Sequence, residues 1–210
     1  MLATMLLTLS VVAWRPAAVL SQLASNDDVA VYEAILANRI QPEVDRFTAG
    51  ARIQTPAPIL AFDRTLTVCR PAADHPKQMG CIREEEIQSF ETKLPRMQRV
   101  RFEGLLTPAS RDELAKAFRQ RNRESQPFAA AKLERIIVTS PEGLDEAMKR
   151  ESGRTRGVSS FSLPAYATDG HALVYGSYVC GGLCGYGWLF LLERRGEGWQ
   201  VVSVDMLWIS

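Results

Sequence analysis

The chain has 210 residues, 46% of them apolar, and 25 basic against 24 acidic residues leave a net charge of +1. That length and apolar content suit a single domain with a real core and exclude a disordered chain. A nearly neutral balance supplies no global field toward nucleic acid or an anionic membrane. The local basic run of Arg96, Arg99, Arg101, Arg119, Arg121 and Arg123 is threaded with Glu91, Glu103, Asp112, Glu113 and Glu124, the pattern of a solvated helix face rather than a nucleic-acid site.

The N-terminal MLATMLLTLSVVAW is apolar up to Arg15 and is followed by the small residues Ala17, Ala18, Ser21 and Ala24. It reads as the apolar region and cleavage zone of a secretory signal peptide, although no Lys or Arg precedes it. As a membrane span it is too short, since about 14 residues at about 1.5 Å each cover about 21 Å of a core about 30 Å thick. Residues 1–24 are therefore expected to be a signal peptide and residues 25–210 one domain, placed in the periplasm or outside the cell, with no transmembrane span in the mature chain. Export would pair the four cysteines, Cys69, Cys81, Cys180 and Cys184, as oxidising compartments do. Three connectivities are possible, and closeness in sequence favours Cys69 with Cys81 and Cys180 with Cys184.

Asn26 to Asp28 offer capping chemistry for a helix over 28–40, whose apolar face is Val29, Tyr32, Leu36 and Ile40. ILAFDRTLTVC (59–69) has the composition of a strand, and the loop RPAADHPKQMG follows between Cys69 and Cys81. A disulfide closing those about 13 residues would contribute about 3 kcal/mol in the chain-entropy model. Three glutamates open a helix over 83–94, where they suit the helix dipole better than a cation site. Thr107 and Pro108 cap a helix over 109–122. KLERIIVTS is a second strand, a short helix follows over 141–150, and the α-rich half closes near residue 157.

Residues 158–210 change character and read as an antiparallel meander. SFSLPAYAT leads into Asp169-Gly170, a strong hairpin signal, and Pro164 confines that first strand to an edge or a bulge. HALVYGSYVC, GYGWLFLLER and WQVVSVDMLWI follow. If Cys180 and Cys184 flank a three-residue loop, they face each other directly, and Tyr178, Gly176 and Val174 lie opposite Tyr186, Trp188 and Phe190. A large aromatic opposite Gly176 would cover its exposed backbone. On the other face Ser177 meets Gly187 and Val179 meets Gly185. This face is stripped of bulk, a patch for close packing within the fold or for a ligand. The fold class expected is α+β, an antiparallel β-meander sheet covered on one side by helices.

No constellation of catalytic residues emerges. The spacing C-x-x-x-C in a strand-turn-strand context is not the C-x-x-C at a helix N-terminus that lowers a thiolate pKa. A metal held by the hairpin cysteines would need His75, because His171 stands at the far end of its strand, about 30 Å away. His171 reads as a solvated side chain beside a turn. The glycine run precedes a strand and so is not a nucleotide loop. Asp63 and Asp205 could converge as a carboxylate pair, though no spacing argues for it. No catalytic, cofactor or metal residues are assigned.

DGHALVYGSYVCGGLCGYGWLFLLERRGEGW, together with VYEAIL and FRQRNRESQPF, resembles a family of uncharacterised, mostly exported bacterial proteins whose members end in a stretch of this form. The resemblance implies export and one α+β domain, and carries no activity or catalytic residues. A weaker likeness is to NTF2-like domains, in which helices cover a curved antiparallel sheet with a pocket between. The function expected is that of an exported, disulfide-stabilised binding or envelope-associated module without catalysis, its partner an unknown protein or small molecule of the cell envelope. The alternatives are a small-molecule enzyme with a pocket between helices and sheet, and a metal-binding protein using the C-x-x-x-C hairpin.

Overall fold

The computed structural model describes residues 17–38, 58–69, 81–88, 102, 104–129, 133, 136–152, 155, 157–181 and 184–210. Within them lie the helices α1 (Ala17–Ala37), α2 (Glu84–Gln88), α3 (Pro108–Arg121) and α4 (Leu144–Arg150). The strands are β1 (Ile59–Phe62), β2 (Thr67–Val68), β3 (Cys81–Ile82), β4 (Ile136–Thr139), β5 (Val158–Phe161), β6 (Ala165–Tyr166), β7 (His171–Gly181), β8 (Cys184–Arg195) and β9 (Gly198–Ile209). The fold is α+β. Helix α1 covers the predicted segment but starts earlier and ends at Ala37; residues 39–40 of that prediction, like residues 1–16 and the loop 70–80, lie outside the described residues. Among the described residues no helix is long and apolar enough to cross a membrane.

The main sheet runs β4-β1-β5-β7-β8-β9, with β6 also paired to β7. Its β5-to-β9 part is the expected antiparallel meander. Beyond it the sheet is mixed, because β1 pairs in parallel with both β4 and β5. Parallel strands need long connections, and the segment from β4 to β5 crosses over β1 carrying α4, whose Ala147 packs on Leu60 and Val158.

Helices cover both faces of the sheet, which corrects the one-sided cover expected from the sequence. Alternate side chains of a strand point to opposite faces. Ala172, Val174, Phe190 and Leu192 pack with Val31, Tyr32 and Ile35 of α1, while Leu173, Tyr175, Leu189 and Leu191 pack with Ile87 of α2 and Leu114 and Phe118 of α3. A chain with apolar residues at successive positions of β7 and β8 has two faces to bury, so a second helical layer follows from the same residues.

The first meander strand breaks where Pro164 removes a donor. The β5–β7 ladder pairs Phe161 with Gly176, the β6–β7 ladder pairs Ala165 with Leu173, and the register shifts by one residue between them. Backbone groups exposed by such a bulge must find partners when buried. Ser162 is fully buried; its N–H donates to Tyr175 O at 2.8 Å, and its hydroxyl accepts from the Tyr175 N–H at 2.9 Å. Its carbonyl accepts from Tyr32 of α1 at 2.8 Å. Asn122, at the end of α3, accepts from the Leu163 N–H at 2.7 Å and donates to Leu163 O at 3.2 Å and Phe118 O at 2.9 Å. Arg121 donates to Pro164 O at 2.6 Å.

The same arginine is paired with Asp28 of α1 at 2.9 Å, and Tyr166 donates to that carboxylate at 2.7 Å. Burial pulls the Arg121 pKa down, but Asp28 and Tyr166 outweigh it and hold the pKa above its ordinary value. Burial, and then Asp28, push the hydroxyls of Tyr32 and Tyr166 upward, so both stay protonated donors. The bulge is thus the junction of α1, α3 and the sheet. Asn122→Ala leaves the Leu163 amide and carbonyl buried without partners and is expected to cost about 2–4 kcal/mol, measured by urea unfolding. A loss below about 0.5 kcal/mol, the range of a surface substitution, would mean the junction is not carried by this side chain.

Candidate functional site

Both disulfides expected from the sequence form, Cys69 with Cys81 and Cys180 with Cys184. The first ties β3 to the residue after β2, next to the Cys69 N–H bond to Ile82 O at 2.8 Å. At the hairpin the pairs Tyr178–Tyr186, Gly176–Trp188, Val174–Phe190, Ser177–Gly187 and Val179–Gly185 are all present. The two cysteines, however, do not face each other. The ladder shifts between Val179 and Gly181, and Gly181, at φ +133°, stands opposite Cys184. A glycine in that backbone region costs nothing sterically, so the bulge forms at the tip and the disulfide bridges it diagonally.

The four residues of the bare face are divided by the structure. Gly185 and Gly187 are covered by the chain's own last strand, because β9 places Trp208 opposite Gly187. A Cβ on Gly187 would collide with that indole, and one on Gly185 would sit 3.0 Å from Ser210 Oγ. The indole N–H donates to Tyr175 Oη at 2.9 Å. Ser177 is half-buried, whereas Val179 is 45% exposed. Two register shifts in the β8–β9 ladder, around Val202 and Leu207, turn those two side chains onto the core beneath α3. Gly187→Ala is expected to destabilise by about 1–3 kcal/mol through overpacking, read from urea unfolding. Gly198→Ala, which meets nothing within 4 Å, serves as the neutral control. An equal, negligible effect of both would place Trp208 elsewhere.

On the opposite face a cavity of about 70 Å³ opens between the C-terminal end of α1 and the sheet. Ile35 and Leu36 form its helical wall, Ile59, Ser159 and Phe161 one side, and Gly176, Ser177, Tyr178, Trp188 and Phe190 the floor. Gly176 has no side chain, and aromatic rings take the place of one. The rings of Phe190 and Phe161, at 2.9 and 3.3 Å from where its Cβ would be, cover its backbone in place of the Trp188 expected from the cross-strand pairing. No charged side chain is among the described residues lining it. Past its mouth, Tyr186 stacks on Trp188 with centroids 5.6 Å apart. The β8–β9 register sets Ile209 beside Tyr186 and Met206 beside Trp188. Ile209 is 66% and Met206 53% exposed, so an apolar stripe leads from the sheet edge to the cavity.

The charged candidates have separate partners. Glu84 accepts from Arg119 at 2.7 Å, Glu85 pairs with Arg83 at 3.0 Å, and the buried Glu86 accepts the Arg83 N–H at 2.7 Å, closing the first turn of α2. Glu86 also accepts from the Tyr175 hydroxyl at 3.3 Å. Asp63 follows β1 and Asp205 lies in β9, four strand steps apart in the sheet, about 19 Å at about 4.8 Å per step, so they form no carboxylate pair. With both hairpin sulfurs in a disulfide, neither is the thiolate a metal needs. Among the described residues no group of three or more His, Cys, Asp and Glu could hold an ion; His75 lies outside them.

His171 is not solvated as its place beside a turn suggests. Its side chain is 16% exposed and its Nδ1 lies 2.9 Å from Asp169 Oδ1. Asp169 is held in turn by the Ser110 hydroxyl at 2.5 Å, and Ser110 belongs to the first turn of α3, capped by Thr107. Burial raises the Asp169 pKa, but the bonds from Ser110 and His171 outweigh this and lower it. Ser110, Asp169 and His171 do not form a nucleophile relay, because the carboxylate and not the imidazole sits in the middle. His171 borders an open depression of about 500 Å³ shared with Glu193, Arg195 and Gln200.

Compared with known proteins, the chain matches no family model, no curated protein and no solved structure.

Proposed function

We propose that this protein is an exported, disulfide-stabilised binding module of the cell envelope, and that it docks a partner protein by taking one apolar side chain into the cavity between α1 and the sheet. The observation that supports this reading is the size and lining of that cavity. At about 70 Å³ it holds about five to seven waters' worth of space, at about 10–15 Å³ each. Metabolite pockets are larger, about 300–1,000 Å³. One branched or aromatic side chain fits, as in the anchor pockets at the centre of protein interfaces. The stripe of Tyr186, Trp188, Met206 and Ile209 gives the rest of such a partner an apolar surface to lie on.

Export rests on the apolar N-terminal run, on the likeness to exported bacterial proteins, and on the two disulfides, which persist in oxidising compartments. Purified from its own cells without reductant, the protein is expected in the envelope or medium, lacking its first 24 or so residues and four hydrogens lighter than its fully reduced form. A cytoplasmic protein with four free thiols would contradict export. For docking, selection from a random peptide library is expected to return sequences sharing one Leu, Ile or Phe anchor. Their affinity should fall at least about tenfold, or 1.4 kcal/mol, on filling the cavity from its side wall by Ser159→Leu or Ser159→Phe. It should be unchanged by Val179→Ser. Binding indifferent to both fillings would remove the cavity from the account.

A further inference from the structure

The depression beside His171 is a separate place on the molecule, on the face opposite the apolar cavity. We propose that it is a second binding site, for a small zwitterion of the α-amino-acid kind, held by Glu193 and Arg195 with His171 as a third polar contact. Glu193 and Arg195 are two residues apart on β8 and so share a face. Their side chains converge, Arg195 Nη2 lying 3.0 Å from Glu193 Oε2. His171 is the cross-strand neighbour of Glu193, and Gln200 its neighbour on β9. With Nδ1 buried against Asp169, the ring has Nε2 to offer a ligand. The apolar part of the wall comes from Leu105, which is 44% exposed, and Val202.

Charge decides what this arrangement accepts. A plain anion meets Glu193, a plain cation meets Arg195, and a purely apolar molecule would strip water from both without replacing it. A molecule carrying an ammonium and a carboxylate a few ångströms apart satisfies both side chains at once, and an apolar substituent lies on Leu105 and Val202. The ion pair it displaces is exposed, with Arg195 60% and Glu193 39% accessible, so breaking it is cheap. About 500 Å³ is room for an amino acid or a dipeptide and falls in the range of metabolite pockets, about 300–1,000 Å³.

The test is calorimetric titration of the whole disulfide-bonded protein with leucine, methionine, valine and phenylalanine, with their dipeptides, and with N-acetyl-leucine and leucinamide, which each lack one charge. The expected result is saturable binding of the zwitterions and at least tenfold weaker binding of the two single-charge analogues. Glu193→Gln should abolish the preference over N-acetyl-leucine and Arg195→Gln the preference over leucinamide, with thermal unfolding checking that both variants stay folded. The amino-acid and dipeptide arms distinguish a free amino acid from the end of a peptide as the source. Ser159→Leu should leave this binding unchanged, which separates the site from peptide docking at the cavity. No saturable binding by any zwitterion, or binding untouched by both β8 variants, would overturn the proposal.

Discussion

A buried interruption in the sheet governs this fold. Pro164 cannot donate, so the strand that carries it must break, and the break lies where α1 and α3 reach the sheet from its two faces. Breaking a ladder inside a core is costly unless each freed amide and carbonyl finds a partner. Here Ser162 replaces part of the ladder with its own hydroxyl, Tyr32 arrives from one helix, and Asn122 and Arg121 from the other. Those contacts have direction, which apolar packing lacks, and so they specify where each helix lies.

The two cavities follow from that placement. With α1 anchored near its middle by Asp28 and Tyr32, its last turn is carried over this end of the sheet, where Ile35 and Leu36 roof an apolar space. With α3 anchored at its C-terminal end, its first turn meets the Asp169-Gly170 turn, where Ser110 and Glu113 bind Asp169 and Thr168. That contact fixes Asp169 and thereby His171. One face thus acquires an uncharged niche and the other a polar shelf, a division suited to two different ligands.

Much of the meander was legible in the sequence because hairpins are local. The cross-strand partners of Tyr178, Gly176 and Val174 follow from setting Cys180 level with Cys184, and they hold because the bulged residue at the tip makes up for a turn one residue shorter; the break follows from Pro164. The cysteine tip lies one residue from its expected register, since a bulge at Gly181 depends on a backbone conformation that composition does not reveal. The parallel strands β1 and β4 leave no turn signature, and the Asp28–Arg121 pair joins residues 93 apart in the chain, so neither can be read from spacing. Of the candidate patch, Gly185 and Gly187 proved to be a seat for Trp208. Only a register for β9 that allows two shifts could have announced this. The cavity beside Gly176 is hidden for the opposite reason: the glycine reads as needing cover and α1 reads as a helix, but nothing in the spacing sets the last turn of that helix over this end of the sheet.

Native-state hydrogen exchange addresses the junction most directly, because amides that open only with the whole molecule exchange at the free energy of global unfolding. The Leu163 and Tyr175 amides, bonded to Asn122 and Ser162 within an otherwise broken ladder, are predicted to be among the most slowly exchanging in the protein, with the same denaturant dependence as global unfolding. If both exchange at loop-like rates while the β7–β8 amides stay protected, the break is a loose connection and the helices are held in place by something else.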